Sequence, residues 1–547
     1  MSCWNIAEAV HQLATSNIAE HPALLHGEEV VSFRELDQRA AAIASYLWTL
    51  ELPAGSHIGH YMRNSNAYME TFIGTGFAGH SHVNVNYRYR DEELISLCNS
   101  LDIRVLVYDQ EFAERVASIR EQLHETVAFI EVGDEPCCSF AQSLTALYEQ
   151  GSKHIEARTA GTDLVVIATG GTTGLPKGTQ WRHEDLWRKM CICTRYRMAP
   201  LKLNDEPETM AEHIANVVSL PPAAPFLTLS PLMHGAGLMM ALLMIAQGTP
   251  VMTLPGASFD PDQTLTALKK HGVSWMVLVG DAFAAPLLEA LERRADEQLL
   301  ASLTTLVSSG ASVSTETREG ILRHQPDLLL LDTLGSTESS GYALSTPEAG
   351  VFAPLPGTRV LDENLQDVEP GSDTIAMVYG GGYQPIGYYK SPEKSAETFV
   401  EIDGQRYVMT GDRCTVRADG NLVLLGRDST VVNTGGEKVY TVEVERILVD
   451  FPAITDALVV GLPHPRFGKM VVAVVQGPGL NSDNLDVDAI KAHAAQHLAD
   501  YKIPREIYAI DSLQRAPNGK PDYGFVTDYA LACSERHQAE SAAGKPA

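Results

Sequence analysis

No apolar run in this chain reaches the roughly 18 to 20 residues that span a bilayer. The longest, Leu238 to Ala246, has the length of a buried helix. Basic charge is also scarce: 41 Lys and Arg stand against 69 Asp and Glu, a formal net charge of −28. A surface of that sign repels nucleic acid and anionic lipid, so an anionic ligand needs a local site. The eight cysteines contain no zinc-type CxxC pair, which excludes the commonest structural metal sites and suits reduced thiols in a cytoplasm. Met1 to Glu8 has no basic region followed by an apolar core, so no secretory signal is read and a cytoplasmic location is expected. At 547 residues the chain is too long for one core and should divide into domains.

What is present is concentrated in strand-end turns. Short apolar strands alternate with helical stretches: Phe33 to Leu47 reads as helix, and His57 to Met62, Arg104 to Tyr108, Thr249 to Leu254, Ser274 to Val279 and Leu303 to Ser309 read as strands. That alternation predicts α/β layers with largely parallel sheets, whose ligands sit at the carboxyl ends of strands. The apolar run Leu164 to Ala168 leads into Thr169-Gly170-Gly171-Thr172-Thr173-Gly174-Leu175-Pro176-Lys177-Gly178, with four glycines, three hydroxyls and one lysine. Such a loop can turn backbone N–H groups inward around phosphates and add one mobile positive charge. It is not a Walker A loop, because Lys177 lies between Pro176 and Gly178 instead of opening a helix.

Further along, Arg195 to Pro225 breaks the rhythm with prolines and acids and reads as a surface insertion, part of a lid. Thr228 to Gly237 places His234 among small and apolar residues; taken alone it would more often be a satisfied turn histidine. Leu328 to Leu331 runs into Asp332-Thr333-Leu334-Gly335-Ser336-Thr337-Glu338, where one carboxylate among hydroxyls suits a hard cation beside phosphates. The ordinary alternative is a helix cap with Glu338 in the first turn. Asp412, after the strand Tyr407 to Thr410, could hold ribose hydroxyls, or be a plain turn Asp after Gly411. Asp428 to Tyr440 is the boundary candidate, and a fresh α/β pattern follows it. Arg515 to Tyr523 is a Pro/Gly loop carrying Lys520, and Ser534 to Ala547 is small and polar, which predicts a disordered tail.

Assembled, these stretches resemble an acyl-CoA synthetase of the adenylate-forming superfamily that also holds luciferases and peptide-synthetase adenylation domains. The resemblance covers nearly all of residues 5 to 530 and is carried by TGGTTGLPKG, LGSTE, the TGD and GR pair with TGGEK, and PNGK, in family order. Finer stretches, at 181–186, 231–236, 280–287 and 519–523, resemble the branch that activates sterol side chains and other bulky or medium-to-long acids. The resemblance implies an α/β fold with a large N-terminal domain of stacked α/β subdomains, 1–428, and a small mobile C-terminal domain, 429–533, ahead of the tail 534–547. It implies an ATP-dependent acid–CoA ligase: acyl-AMP and pyrophosphate first, then acyl-CoA and AMP, with ATP, Mg²⁺ and coenzyme A. Nucleic acid and an integral membrane segment are not expected, and a homodimer is compatible.

Carried over residue by residue, Thr169, Gly170, Gly171, Thr172, Thr173, Gly174 and Lys177 would hold the β- and γ-phosphates. Glu338, with Thr169, would hold Mg²⁺; Thr337 would meet the α-phosphate, and Ser336 would belong to the same nucleotide site. Ser309, Gly310, Ala311, Asp332, Thr333, Leu334 and Gly335 would line adenine, Asp412 would take the ribose hydroxyls and Arg427 the ribose region. Lys520 would bridge carboxylate and α-phosphate in the first half-reaction and then swing away, after which Gly435 and Gly436 would face the CoA arm. His234 and Gly235 would stand at the acyl–adenylate junction, with Val279 and Gly280 near the acyl pocket. Two positions depart from the family pattern: Leu334 replaces an aromatic residue, and Ser429 stands at the expected hinge beside Asp428. The rivals are an acyl-AMP ligase loading a carrier protein in trans, a non-catalytic acyl or nucleotide sensor and, more remotely, a luciferase-like oxygenase.

Overall fold

The computed structural model describes residues 4–152, 158–171, 174–192, 206–348, 350–427, 431–434, 437–464, 468–498, 500–515 and 521–543. The chain forms two compact units, Met1–Tyr342 with Gly381–Val408, and Ala343–Gly380 with Met409–Ala547. The large unit is built on two sheets. One runs, in spatial order, Gly387–Tyr388, Gly174–Arg182, Leu164–Gly171, Ser81–Asn84, His57–Tyr61, Ile103–Asp109, Ala128–Val132 and Gln142–Ser143. Its strands from Leu164–Gly171 onward pair in parallel, while Gly174–Arg182 returns antiparallel beside Leu164–Gly171. The other sheet sets Leu329–Ser336, Thr305–Ser309, Trp275–Leu278, Phe226–Thr228, Val251–Thr253 and Pro22–His26 side by side in parallel, with Glu29–Ser32 closing a hairpin.

The apolar runs become buried strands because parallel strands are covered on both faces. The strands expected at 57–62, 104–108, 249–254, 274–279 and 303–309 are found with their ends moved by one or two residues, while those at 164–168, 328–331 and 407–410 run on to Gly171, Ser336 and Val416. Helices Ile6–Ala14, Phe33–Thr49 and Asn66–Phe77 pack with the inner face of the first sheet, and Phe72, Phe77 and Trp181 are essentially closed to solvent. Each such side chain contributes about 1.5–3 kcal/mol of transfer free energy. The run around Leu238 is the buried helix Gly235–Ile245. No helix among the described residues is long and apolar enough to cross a membrane.

The smaller unit combines an antiparallel set, Arg359–Leu361, Ala376–Gly380, Gln405–Val416 (from Met409 in this unit), Leu422–Arg427 and Val351–Pro354, with a second sheet. In that sheet Gly468–Gln476 lies between Asp456–His464 and Glu506–Ala509, and Val431–Thr434 with Glu437–Tyr440 continues one side. Helices Thr441–Val449 and Val487–Ala494 pack on it through Val444, Leu448, Ile490 and Ala494. The α/β class with a large N-terminal and a small C-terminal part therefore holds.

Two expectations are corrected. The stretch read as a surface insertion contains the helix Met210–Ser219, which buries Met210, His213, Ile214 and Val217. Its Thr209 cap and Glu212 form a capping box, a signal that prolines on either side concealed. The expected disordered tail begins inside the helix Tyr523–Ala543, and Ser534 is buried. Its alanines and glutamates favour helix, and Val526 and Ala530 tie its first turns into the core of the small unit.

Candidate active site

The glycine-rich stretch is a β-hairpin. The strand expected to end at Ala168 continues to Gly171, and Lys177 on the return strand lies directly across from Thr169. Thr172 and Thr173 lie outside the described residues, as do the side chains of residues 170–176. The return strand must come close to its neighbours, and Gly178 makes this possible: a Cβ there would stand 2.9 Å from both Leu101 Cδ2 and Val166 Cγ1. The short strand Gly387–Tyr388 docks against this return strand, with Tyr388 opposite Thr179.

The turn carrying Thr337 and Glu338 joins two strands, Leu329–Ser336 and Ser340–Ser345, so the helix-cap alternative for Glu338 fails. Ser339 N–H donates to Ser336 O at 3.3 Å to close it. Trp181, on the return strand of the glycine-rich hairpin, donates its indole N–H to Thr337 O at 2.8 Å. Tyr388 donates its hydroxyl to Glu338 Oε1 at 2.8 Å, and Lys177 Nζ lies 5.2 Å from the centre of the same tyrosine ring. Burial and the Glu338 carboxylate raise the Tyr388 hydroxyl well above its ordinary pKa, so it remains a donor.

His234 caps the helix Gly235–Ile245 from extended backbone, and its N–H donates to Pro231 O at 3.0 Å. A Cβ at Gly235 would come within 3.5 Å of Thr337 Oγ1, so the His234 turn and the Thr337 turn face each other. Thr333 pairs with Ser309, and a Cβ at Gly310 would meet Val279 Cγ1 at 3.6 Å. Gly280, at φ +52, has room only for hydrogen, since a Cβ would stand 2.7 Å from Ala311 Cβ. Val279, Gly280, Ser309, Gly310, Ala311 and Thr333 are thus one group of strand ends. Asp332 faces elsewhere with its carboxylate: it accepts from Val313 N–H at 3.1 Å and Arg318 at 2.6 Å. Burial pushes its pKa up, against the pull of Arg318.

In the small unit Asp412 stands inside the strand Gln405–Val416, not after it, which removes the plain-turn alternative. It is buried, its N–H donates to Thr410 Oγ1 at 3.1 Å, and its cross-strand partner is Arg427. The Arg427 side chain, Asp428, Ser429, Gly435, Gly436 and Lys520 lie outside the described residues.

Two asparagines that the sequence did not single out cross-tie the large unit. Asn84 accepts from Ala168 N–H at 2.6 Å and donates to Ala168 O at 3.2 Å and to Met233 O. Asn64 accepts from Leu232 N–H at 2.7 Å and donates to Ser230 O at 3.1 Å. The residues leading into the glycine-rich hairpin and those leading into His234 therefore share one buried amide.

Hard oxygen donors suit Mg²⁺ at the Glu338 turn. Glu338 supplies one carboxylate beside the Thr337 hydroxyl, and no cluster of three or more His, Cys, Asp or Glu among the described residues could hold a metal alone. The donor set fits a cation that arrives with its own phosphate oxygens.

Residues 11–382 match the AMP-binding enzyme family and residues 443–520 its C-terminal domain. The chain belongs to the AMP-binding enzyme family. It is 34% identical over 541 residues to a medium/long-chain-fatty-acid–CoA and 3-oxocholest-4-en-26-oate–CoA ligase of Mycolicibacterium smegmatis, covering 96% of each chain. A 3-oxocholest-4-en-26-oate–CoA ligase of Rhodococcus rhodochrous is 33% identical over 543 residues, covering 96% of this chain and 95% of the other. In fold it is similar to the anthranilate CoA ligase AuaEII solved with anthranoyl-AMP, at a TM-score of 0.82 and 21% identity over 98% and 99% of the two chains.

Proposed function

We propose that this chain activates a hydrophobic carboxylic acid, a medium or long fatty acid or a steroid side-chain acid, and transfers it to CoA in the cytoplasm. It is an AMP-forming acid–CoA ligase. The observation that carries this reading is the meeting of Glu338 and Lys177 at one tyrosine beside the Thr337 turn, in a chain similar to named acid–CoA ligases over 96% of its length.

Attack of a carboxylate on a triphosphate brings two anions together, so catalysis rests on placement and on cationic and N–H donors. Thr169 to Gly178 hold the outer phosphates, with Lys177 as the mobile charge. Glu338 and Thr169 are the oxygens that would hold Mg²⁺, which when bound neutralises phosphate charge, and Thr337 meets the α-phosphate. Asp412 takes the ribose hydroxyls, with Arg427 beside it. His234 and Gly235 line the junction where acyl and adenylate meet. Lys520 stabilises charge between carboxylate and α-phosphate in the first half-reaction, and Gly435 and Gly436 serve the CoA step.

A panel of straight-chain, cyclic and steroid acids, assayed for pyrophosphate release with and without CoA, tests this. Acid-dependent pyrophosphate and CoA-dependent thioester are expected. Pyrophosphate without thioester on free CoA, restored by a phosphopantetheinyl carrier, would overturn the CoA assignment; no pyrophosphate with any acid would overturn the ligase.

A further inference from the structure

Glu338 and Lys177 carry opposite charges in one small site, yet no ion pair joins them among the described residues. Tyr388 stands between. Its hydroxyl donates to Glu338 Oε1 at 2.8 Å, and its ring lies under Lys177 Nζ, 5.2 Å from the centre. The tyrosine is itself fixed on every side. Its N–H donates to Ser395 Oγ at 2.8 Å, its ring packs 5.6 Å from Phe399, its backbone pairs with Thr179, and only 8% of it is exposed.

A lysine in direct contact with the glutamate would compete with a cation for the carboxylate and would itself be lost to the phosphates. A neutral aromatic spacer avoids both. The hydroxyl occupies one carboxylate oxygen, sets its orientation and leaves the other oxygen for a cation. The ring face holds the ammonium by a cation–π contact, weak enough to yield to a phosphate anion.

Resting on the reading of Glu338 as the residue toward the metal, we infer that Tyr388 is a positioning residue that keeps Glu338 and Lys177 apart and aims the carboxylate at the metal of the incoming metal–nucleotide complex. Tyr388 acts through Glu338 and Lys177 and need not touch the reacting atoms. The two roles reside in different parts of one side chain, which makes them separable. The hydroxyl serves the metal side, and the ring serves the phosphate side.

The test is a double-mutant cycle of Tyr388→Phe and Glu338→Gln in the full chain, read by Mn²⁺ binding in the presence of ATP (loss of the free Mn²⁺ resonance) and by calorimetry of ATP with and without Mg²⁺. Tyr388→Phe should weaken Mn²⁺ uptake with ATP on the order of 10-fold, as expected for losing one hydrogen bond to a charged group, and leave Tm and metal-free ATP binding unchanged. In the Glu338→Gln background it should have no further effect on Mn²⁺. Tyr388→Leu should weaken metal-free ATP binding as well. If Glu338→Gln lowers Mn²⁺ uptake and Tyr388→Phe does not, or the two effects simply add, the positioning role is wrong. If Glu338→Gln itself leaves Mn²⁺ uptake intact, the underlying reading of Glu338 fails instead.

Discussion

Replacing Asn84 with alanine should loosen the large unit and slow adenylation for the same reason. The amide makes three hydrogen bonds, from Ala168 N–H and to the carbonyls of Ala168 and Met233, and the residue is 2% exposed. With the side chain removed, the Ala168 N–H and the Met233 carbonyl lose this partner away from solvent. Each stranded buried group costs about 1–3 kcal/mol, so the substitution should cost about 2–6 kcal/mol. Asn84→Asp should fare no better, because it keeps the acceptor for Ala168 N–H but turns a carboxylate toward two carbonyls. All five tryptophans, at 4, 48, 181, 187 and 275, lie in the large unit, so the tryptophan fluorescence of a urea melt reports that unit alone. Adenylation should fall about 10²-fold below urea concentrations that unfold the variant, since a shift near 1 Å between the phosphate hairpin and His234 is enough for that loss. A cost under about 0.5 kcal/mol, within the range of ordinary surface changes, would refute the tie.

Burial pushes the pKa of His60, His183 and His213 down to about 4, and His82, against His60, is lowered too. His183 Nδ1 accepts from Ile6 N–H at 3.2 Å, which only a neutral imidazole can do. Between pH 6.5 and 4 the unfolded chain then binds more protons at these sites, so their contribution to stability is full above pH 6.5 and falls by roughly 2 kcal/mol for each of His60, His183 and His213 by pH 5. Urea midpoints read by tryptophan fluorescence should drop from pH 7 to pH 5, and His60→Gln should flatten that slope; an unchanged slope contradicts the assignment. Lys520→Ala should cost on the order of 10² or more in adenylation, while acyl-CoA formation from supplied acyl-AMP and CoA stays near the parent rate. Equal loss in both half-reactions would argue for a lysine that only stabilises the fold. Asp412→Ala should weaken ATP binding with little change in Tm, and normal ATP binding by a destabilised variant would reverse that assignment.

Much of this was legible because the motifs sit at strand ends, and apolar runs mark where strands end. Thr169, Lys177, Thr337 and Glu338 could be read from short windows, as could Gly280 with Ala311. Tyr388 could not: its contact with Glu338, 50 residues upstream, depends on the two-residue strand Gly387–Tyr388 pairing with Thr179 and Gln180. Asn84 looks like any asparagine ending a strand, and its role comes from parallel pairing that brings Ala168 beside it. The helix Met210–Ser219 was available in the Thr209–Glu212 box but was outweighed by flanking prolines. The sequence places Asp332 with the segment expected to line adenine, but gives no sign that its carboxylate is held by Arg318, 14 residues upstream.

The central claim is that the acid is activated as its adenylate, with the carboxylate oxygen attacking the α-phosphorus. Turnover of a fatty or steroid side-chain acid labelled with ¹⁸O in its carboxylate tests this directly, with the phosphorus products read by mass. The account predicts AMP carrying one ¹⁸O atom, unlabelled pyrophosphate and acyl-CoA retaining the other label. Unlabelled AMP, or label appearing in inorganic phosphate beside ADP, would contradict it.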